Sequence, residues 1–133
     1  MKTLKQLIKD GKFNYVNSDI TEEHYPSEKI RGKVKIFHFD RFISSEDVIK
    51  KMEKEEYQPA NIYELLEYAE KDWNEKDWVV ALGSVRLDSS GSLRVLVLSS
   101  DSGRRRFSLS YFGSRWSRGC VFAGVLRSSD FGA

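Results

Sequence analysis

Few side chains in this sequence are spaced for acid–base, nucleophilic or metal chemistry. His24 and His38 lie far apart with no cysteine nearby, so neither has the spacing of a zinc site. The single cysteine, Cys120, lies in an apolar run, where a free thiol usually packs as a small hydrophobic side chain. No serine stands in a G-x-S-x-G turn, and the turn at residues 88–92 has too few carboxylates for calcium. The sequence therefore predicts no catalysis, no metal and no cofactor.

The segment from Ser102 to Trp116 offers a different chemistry, because it holds four arginines and no lysine among serines, glycines and aromatic residues. Arg104–Arg106, with Tyr111 and Trp116, would supply the phosphate contacts and base stacking of a nucleic-acid-binding module. No RNP, KH or helix-turn-helix signature accompanies them. The glutamate-rich helical segments that precede them also disfavour a phosphate ligand. Nucleic-acid binding through Arg104–Arg106 is the alternative function, and a purely structural or oligomerisation domain is a second rival.

The elements that position these residues begin with helices. Thr3 is predicted to cap a short helix that ends at Gly11, and Ser44 or Ser45 to cap a second helix that ends before Pro59. A stronger helix follows, with apolar residues at i, i+3, i+4, i+7 and i+11. These residues are Ile62, Leu65, Leu66, Ala69 and Trp73. The opposite face of this helix is predicted to expose Glu64, Glu67, Glu70 and Lys71.

Strand patterns appear at residues 33–39 and dominate after Trp78. The later strands are predicted at residues 78–82, 93–98, 107–111 and 120–126, the first closed by Gly83, with turns at 88–92 and 99–103 and a loop at 113–119. Alternation within 107–111 places Phe107 on one face and Ser108 and Ser110 on the other. The order β-α-α-β-β-β-β predicts an α+β fold in which two helices pack on an antiparallel sheet. The expected core residues are Val80, Leu82, Val95, Val97, Leu109, Phe122 and Val125.

Amino-acid usage changes abruptly after Trp78. Residues 1–78 hold 12 Lys, 2 Arg, 11 Glu and 6 Asp, whereas residues 79–133 hold 8 Arg, 3 Asp and neither Lys nor Glu. Methionine, glutamine, asparagine and threonine also stop there, and the number of serines rises from 4 to 13. A length of 133 residues predicts a single domain. We expect residues 1–78 to be its helical part and residues 79–133 its β-rich part.

Three stretches resemble the variable target proteins of diversity-generating retroelements, which have a C-type-lectin fold. They are the helix at 59–71, Trp-Val-Val-Ala-Leu-Gly-Ser at 78–84, and Trp-Ser-Arg-Gly-Cys-Val-Phe-Ala-Gly-Val at 116–125. The resemblance covers roughly residues 33–127. Arg86 stands where relatives often carry an aromatic residue, and Cys120-Val-Phe replaces their closing Gly-Phe-Arg. In that family random bases replace adenines of asparagine codons, which cannot produce Lys, Glu, Gln or Met.

The resemblance implies a non-enzymatic, hypervariable protein that binds an unidentified protein or other macromolecule. It also implies that residues 1–78 are the invariant helical scaffold and that the β-rich part, residues 79–133, carries the variable region. Its binding residues are expected in the turns and on the exposed sheet face, along one contiguous surface. The candidates are Leu87, Asp88, Ser89, Ser90, Ser92, Ser99, Ser100, Ser102, Arg104, Arg105, Ser108, Ser110, Gly113, Ser114, Arg115, Ser117, Arg118 and Gly119. Tyr111 and Trp116 are expected either to flank this surface or to lie in the core.

Nothing in the sequence predicts a membrane protein. No apolar run approaches the length of a membrane span. Lys5, Lys9 and Asp10 interrupt the N-terminal apolar residues, so these do not form a secretory signal. The cytoplasm is therefore the default expectation for its location.

Overall fold

The computed structural model describes residues 2–127 and has the mixed α+β character expected from the sequence. This part of the chain forms three helices, α1 (Leu4–Asp10), α2 (Ser45–Lys54) and α3 (Ile62–Lys71). Its strands are β1 (Tyr15–Val16), β2 (Lys35–Phe37), β3 (Ile43–Ser44), β4 (Tyr57–Pro59), β5 (Trp78–Leu87), β6 (Leu93–Asp101), β7 (Arg104–Tyr111), β8 (Arg115–Trp116) and β9 (Cys120–Leu126).

One large sheet has the strand order β1-β7-β6-β5-β9-β2, with β4 also paired to β9. The expectation of an antiparallel sheet was wrong, because β5 runs parallel to β9 and β1 runs parallel to β7. Strands β5, β6 and β7 form antiparallel neighbours, so β7 and β9 point in the same direction. The connection at residues 112–119 must therefore cross back over the sheet before β9 begins.

The sheet is covered on both faces, and each face has its own apolar cluster. On the α3 face, Leu96, Leu98 and Phe107 pack against α1 and α3. On the α2 face, Val97 and Phe122 pack against α2 and against the small β3–β8 sheet. Because side chains alternate along a strand, these strands supply core residues in both directions. Six of the seven expected core residues are buried, and Leu109 is half-buried against the α3-face cluster.

The helices begin where the sequence predicted. The Thr3 hydroxyl accepts from the Gln6 N–H, and the Gln6 side chain accepts from the Thr3 N–H, which completes a capping box. Of the two serines offered as caps for α2, Ser44 is the cap, and its hydroxyl accepts from the Asp47 N–H at 3.1 Å. Asn61 caps α3 and forms a second capping box with Glu64.

Glu64 corrects one prediction, because its side chain is fully buried instead of exposed on the outer face of α3. One of its oxygens accepts from the Arg31 N–H at 2.6 Å, and the other accepts from Arg31 Nη2 at 2.9 Å. The Asn61 N–H adds a bond at 2.8 Å. The carboxylate tolerates burial because a guanidinium and backbone donors surround it. Helical periodicity alone does not predict that Arg31, which is distant in sequence, is the partner of Glu64.

Strand β5 does not end at Gly83 but continues to Leu87, and the contact at Gly83 explains why a glycine stands there. Ala60 joins two strands: its N–H donates to the Ala123 carbonyl at 2.9 Å, and its carbonyl accepts from the Gly83 N–H at 3.0 Å. A Cβ built on Gly83 would overlap the Ala60 carbonyl and lie 2.6 Å from the Pro59 oxygen. Glycine therefore permits the close approach of two backbones here.

Ser84, the next residue, holds the start of α3 against the sheet. Its hydroxyl oxygen accepts from the Ile62 N–H at 2.9 Å and donates to Glu28 at 2.8 Å. Strand β6 likewise runs on to Asp101, so the turn predicted at residues 99–103 is shorter. Only Ser102 and Gly103 have the positive φ values, 51° and 78°, of a tight hairpin turn.

Candidate functional site

The candidate residues do not form the single contiguous surface that was expected. Leu87 is the last residue of β5, and Asp88, Ser89, Ser90 and Ser92 lie in the turn that follows it, before β6. Ser100, Ser102, Arg104 and Arg105 belong to the hairpin between β6 and β7, at the opposite end of the sheet. The nine residues of β6 separate these turns by about 27 Å. The other candidates lie on the α2 face or in the connection at 112–119.

Asp88 organises the turn between β5 and β6. Its Oδ1 accepts from the backbone N–H groups of Ser90 and Ser92, each at 2.9 Å, and from the Ser90 hydroxyl at 2.8 Å. Its Oδ2 lies 3.3 Å from Arg94. The Ser92 N–H, followed by the Ser90 hydroxyl, lowers the pKa of the Asp88 carboxyl from 3.8 to about 2. Leu87, Ser89 and Ser90 are exposed around this anchor.

Arg105 is a structural residue of the β6–β7 hairpin and does not extend freely into solvent. Its Nε donates to the Gly11 carbonyl at 2.9 Å and its Nη2 to the Ala69 carbonyl at 2.8 Å. An ion pair to Glu75 at 3.2 Å and stacking 4.8 Å from the Trp73 ring complete its surroundings. The expectation that Arg105 is displayed was wrong, because strand alternation turns it towards the α3 face.

The neighbouring arginines differ from Arg105 in direction. Arg106 lies on the α2 face, where its guanidinium is 4.5 Å from the exposed ring of Tyr15. Arg104 is exposed and pairs across the hairpin with Asp101. The three consecutive arginines are therefore divided between two faces of the sheet and do not form one basic patch.

The three serines of the middle strands face the α2 side, but none is fully exposed. Ser108 lies opposite Val97, and Ser110 lies opposite Val95. Both serines are half-buried. Ser99 is 7% exposed, because β6 continues through the position where a turn was expected.

The connection at residues 112–119 is fixed to α2 by a short hydrogen-bond relay. The Trp116 indole N–H donates to the Ser45 hydroxyl at 2.9 Å, and that hydroxyl donates to the Phe112 carbonyl at 2.7 Å. Trp116 is 4% exposed and packs edge-on to Phe122. Of the two aromatic residues left open by the sequence, Trp116 is therefore a core residue. Tyr111 is 50% exposed, with the Arg94 guanidinium 4.5 Å from its ring.

A depression of about 540 Å³ opens beside this connection and brings four of the candidate residues together. These four are Ser114, Arg115, Ser117 and Gly119. Trp116 and Cys120 contribute apolar surface to it, and Ser117 Oγ lies 3.5 Å from Cys120 Sγ. The remaining lining residues, Lys76 and Trp78, were missed by the sequence reasoning. The sequence feature that could have indicated Trp78 as a site residue is a large aromatic residue at the start of a strand, where the core does not require one.

The glycines of the connection leave room for side chains. A Cβ built on Gly113 or Gly119 would meet no atom within 4 Å, and neither residue has a positive φ. Gly124 in β9 differs, since its Cβ would lie 3.0 Å from the ring of Phe37. Arg118, between the open positions, is exposed and lies 3.4 Å from Asp40. The connection can therefore accept many residue types at positions where the neighbouring strand cannot.

Within residues 2–127 no three His, Cys, Asp or Glu side chains are grouped to hold a metal ion. The His38 ring donates from Nε2 to the Arg118 carbonyl at 2.9 Å, and the His24 ring donates from Nδ1 to the Asp19 carbonyl at 2.8 Å. In the same part of the chain, no helix has the length and apolar character needed to cross a membrane. Comparisons with protein-family models, with curated proteins and with solved structures found no match.

Proposed function

We propose that this chain is a non-enzymatic ligand-binding protein with a C-type-lectin fold, whose binding residues are diversified by a retroelement. The ligand would be a protein or other macromolecule. The β-α-α-β-β-β-β order predicted from the residue patterns, which agrees with the resemblance, would correspond to β2, α2, α3, β5, β6, β7 and β9. The loss of Lys, Glu, Gln and Met after Trp78 supports diversification through asparagine codons.

The depression beside the connection is the observation that carries this proposal. Ser114, Arg115, Ser117 and Gly119, which are candidates on the sequence alone, share one opening there. The connection that presents them is held by the buried Trp116–Ser45 hydrogen bond. A rigid support beneath exposed small and polar residues is the arrangement that adaptable binding loops use.

A separation of roles within the C-terminal half adds support. Val95, Leu98, Phe107 and Phe122 are at most 2% exposed and supply the core. Gly113 and Gly119 have open space around them, Ser117 is exposed and Ser114 is half-buried, so substitutions at these positions would disturb few contacts. Variation limited to the second set would change what is bound and leave the sheet intact.

The direct test compares two libraries built in the full chain. One randomises Ser114, Arg115, Ser117 and Gly119, and the other randomises the same number of buried positions in β6, β7 and β9. Most members of the first library should remain folded. Selection on an immobilised protein target should recover binders from among them. Most members of the second should be insoluble or digested by protease. A first library that unfolds as often as the second would rule out the display surface.

The genetic part of the proposal has a separate test. A near-copy of the DNA for residues 84–127 should lie close to the gene and beside a reverse transcriptase, and it should differ from the gene only at adenines. Mobility shifts with generic DNA and RNA across a salt series, together with sizing in solution, test the two rival functions. Tight and steeply salt-dependent binding would favour the nucleic-acid module.

A further inference from the structure

We propose, building on the function above, that the depression binds an acidic peptide segment of the partner through one aromatic or large apolar side chain. We further infer that Lys76 and Trp78 supply the constant part of this preference, to which Arg115 adds in the present sequence. Both residues precede the change in amino-acid usage, whereas the opposite wall belongs to the part expected to vary. The site would then combine a constant half with a changing half.

Trp78 provides the apolar anchor point. Its side chain is 53% exposed, although Val79 and Val80 directly after it are fully buried. Trp116 and Cys120 extend the apolar surface from the other side of the depression. Burying a second aromatic ring against an exposed indole removes apolar area from water and adds ring–ring attraction. A volume of about 540 Å³ lies within the range of small-ligand sites and accommodates one such side chain.

The charges around the depression favour a negative ligand. Lys76 and Arg115 both line it, and within the described chain neither forms an ion pair. Of the nearby acidic residues, Glu75 pairs with Arg105, and Asp77, which accepts from the neutral Asn74 side chain at 3.2 Å, does not line the depression. Two free cations on an apolar depression complement a carboxylate on either side of an apolar residue.

The geometry favours a peptide over a nucleic acid. A phosphate backbone requires a row of several cations, and its affinity grows with the number of phosphates neutralised. Arg105 points to the α3 face. Arg106 stacks on Tyr15, and its own strand, β7, is two strands away from β5. Only Lys76 and Arg115 remain at the opening, which suits one or two carboxylates.

The test uses the full chain and three acetylated, amidated pentapeptides: Gly-Glu-Phe-Glu-Gly, Gly-Gln-Phe-Gln-Gly and Gly-Lys-Phe-Lys-Gly. Binding is followed through the indole N–H resonances of the three tryptophans. Trp78 should shift, whereas the backbone amide resonances of α1, which packs in the cluster on the α3 face, serve as the internal control. The acidic peptide should half-saturate at a concentration about 10-fold lower than the neutral one, equivalent to about 1.4 kcal/mol. The lysine peptide should bind more weakly still.

The variants Lys76→Glu and Arg115→Glu should each weaken the acidic peptide about 5- to 10-fold and leave the neutral peptide nearly unchanged. Lys50→Glu, the same charge change on the exposed side of α2, is the matched control and should have no effect. Trp78→Ala should abolish binding of all three peptides while the backbone amide resonances of α1 keep their positions, which shows that the fold is retained.

Equal affinity for the three peptides would overturn the acidic preference, as would tighter binding of a ten-residue oligothymidylate than of the acidic peptide in 150 mM salt. No shift of Trp78 with any peptide would overturn the anchor. The proposed function fails in a different way, namely when the library at the connection yields no binders. Binders that shift Trp78 but show no charge preference would leave the function standing and remove this inference alone.

Discussion

Strand β7 carries two kinds of side chain on its two faces. Arg105 and Phe107 point to the α3 face, where helices cover them and each has fixed partners. Arg106 and Ser108 point to the α2 face, where Arg106 is exposed and Ser108 is half-buried. Residue type alone therefore does not determine which of these side chains is buried. The face of the strand decides it, and neighbouring residues of one segment have different roles.

The largest difference between the two faces should appear at adjacent positions of β7. Phe107→Ala removes a fully buried ring that stacks 5.2 Å from Phe13, and it should lower the free energy of unfolding by about 3–5 kcal/mol. Ser108→Ala should change it by less than about 0.5 kcal/mol. Urea unfolding followed by tryptophan fluorescence measures both. Equal losses would remove the distinction between the faces.

Two glycines give the next comparison. Gly83→Ala forces a methyl group against the Ala60 carbonyl and should cost about 3 kcal/mol, because both neighbours are backbone atoms that cannot rotate away. Gly113→Ala places its methyl group in open space and should be nearly neutral. Thermal melts of the two variants provide the measurement. A neutral Gly83 variant would show that β5 does not depend on its close contact with residue 60.

The consecutive arginines sharpen the comparison further. Arg105→Met keeps much of the side-chain stem but removes the bonds to the Gly11 and Ala69 carbonyls, and the expected loss is about 2–3 kcal/mol. Arg106→Met, on the other face, should change stability by no more than about 0.5 kcal/mol. Chemical denaturation distinguishes them. An Arg105 variant of full stability with altered ligand binding would return this residue to the binding surface.

Substitution of Ser45 tests how firmly the connection at 112–119 is held to α2. Ser45→Ala leaves the buried Trp116 N–H without its acceptor and should cost about 1–2 kcal/mol. Amide exchange within 112–119 should accelerate, while exchange in β6 should follow only the global change. Ser117→Ala, an exposed position of the same connection, serves as the control. Unchanged exchange after loss of the Ser45 hydroxyl would show that the relay does not fix the connection.

The smallest effect is expected from pH at the β5–β6 turn. The folded state lowers the pKa of Asp88 from 3.8 to about 2, so its stabilisation is present above pH 4 and is lost as the pH falls towards 2. Asp88→Asn should melt lower than the parent at pH 7, and the difference should close near pH 2. Asp101→Asn removes a charge from the other hairpin and serves as the control. A difference independent of pH would contradict the assignment.

Much of the local structure could be predicted from the sequence. The caps at Thr3 and Ser44 are local signals, since each is satisfied within three residues. The alternation around Phe107 and the last strand were also predicted as the structure has them. The α+β character follows from the order of such segments.

The errors fall where a distant residue provides the partner. Glu64 has the spacing of an exposed helical position, yet Arg31 meets it from 33 residues away. Gly83 was expected to close a strand, but it allows a neighbouring backbone to approach. The parallel pairing of β5 and β9 follows from the crossing of residues 112–119, and no local pattern encodes such a crossing.

By itself, the sequence determined the types of the main elements, the division of strand residues between two faces, and the change in amino-acid usage after Trp78. These are local or compositional properties, and they need no knowledge of distant partners. Only the tertiary structure decided which face each strand turns to helices and which candidates meet. It bonded Arg105 to the Ala69 carbonyl of α3 and placed Ser114, Arg115, Ser117 and Gly119 beside Trp78. The physical reason is that exposure and contact depend on pairing between segments far apart in the chain.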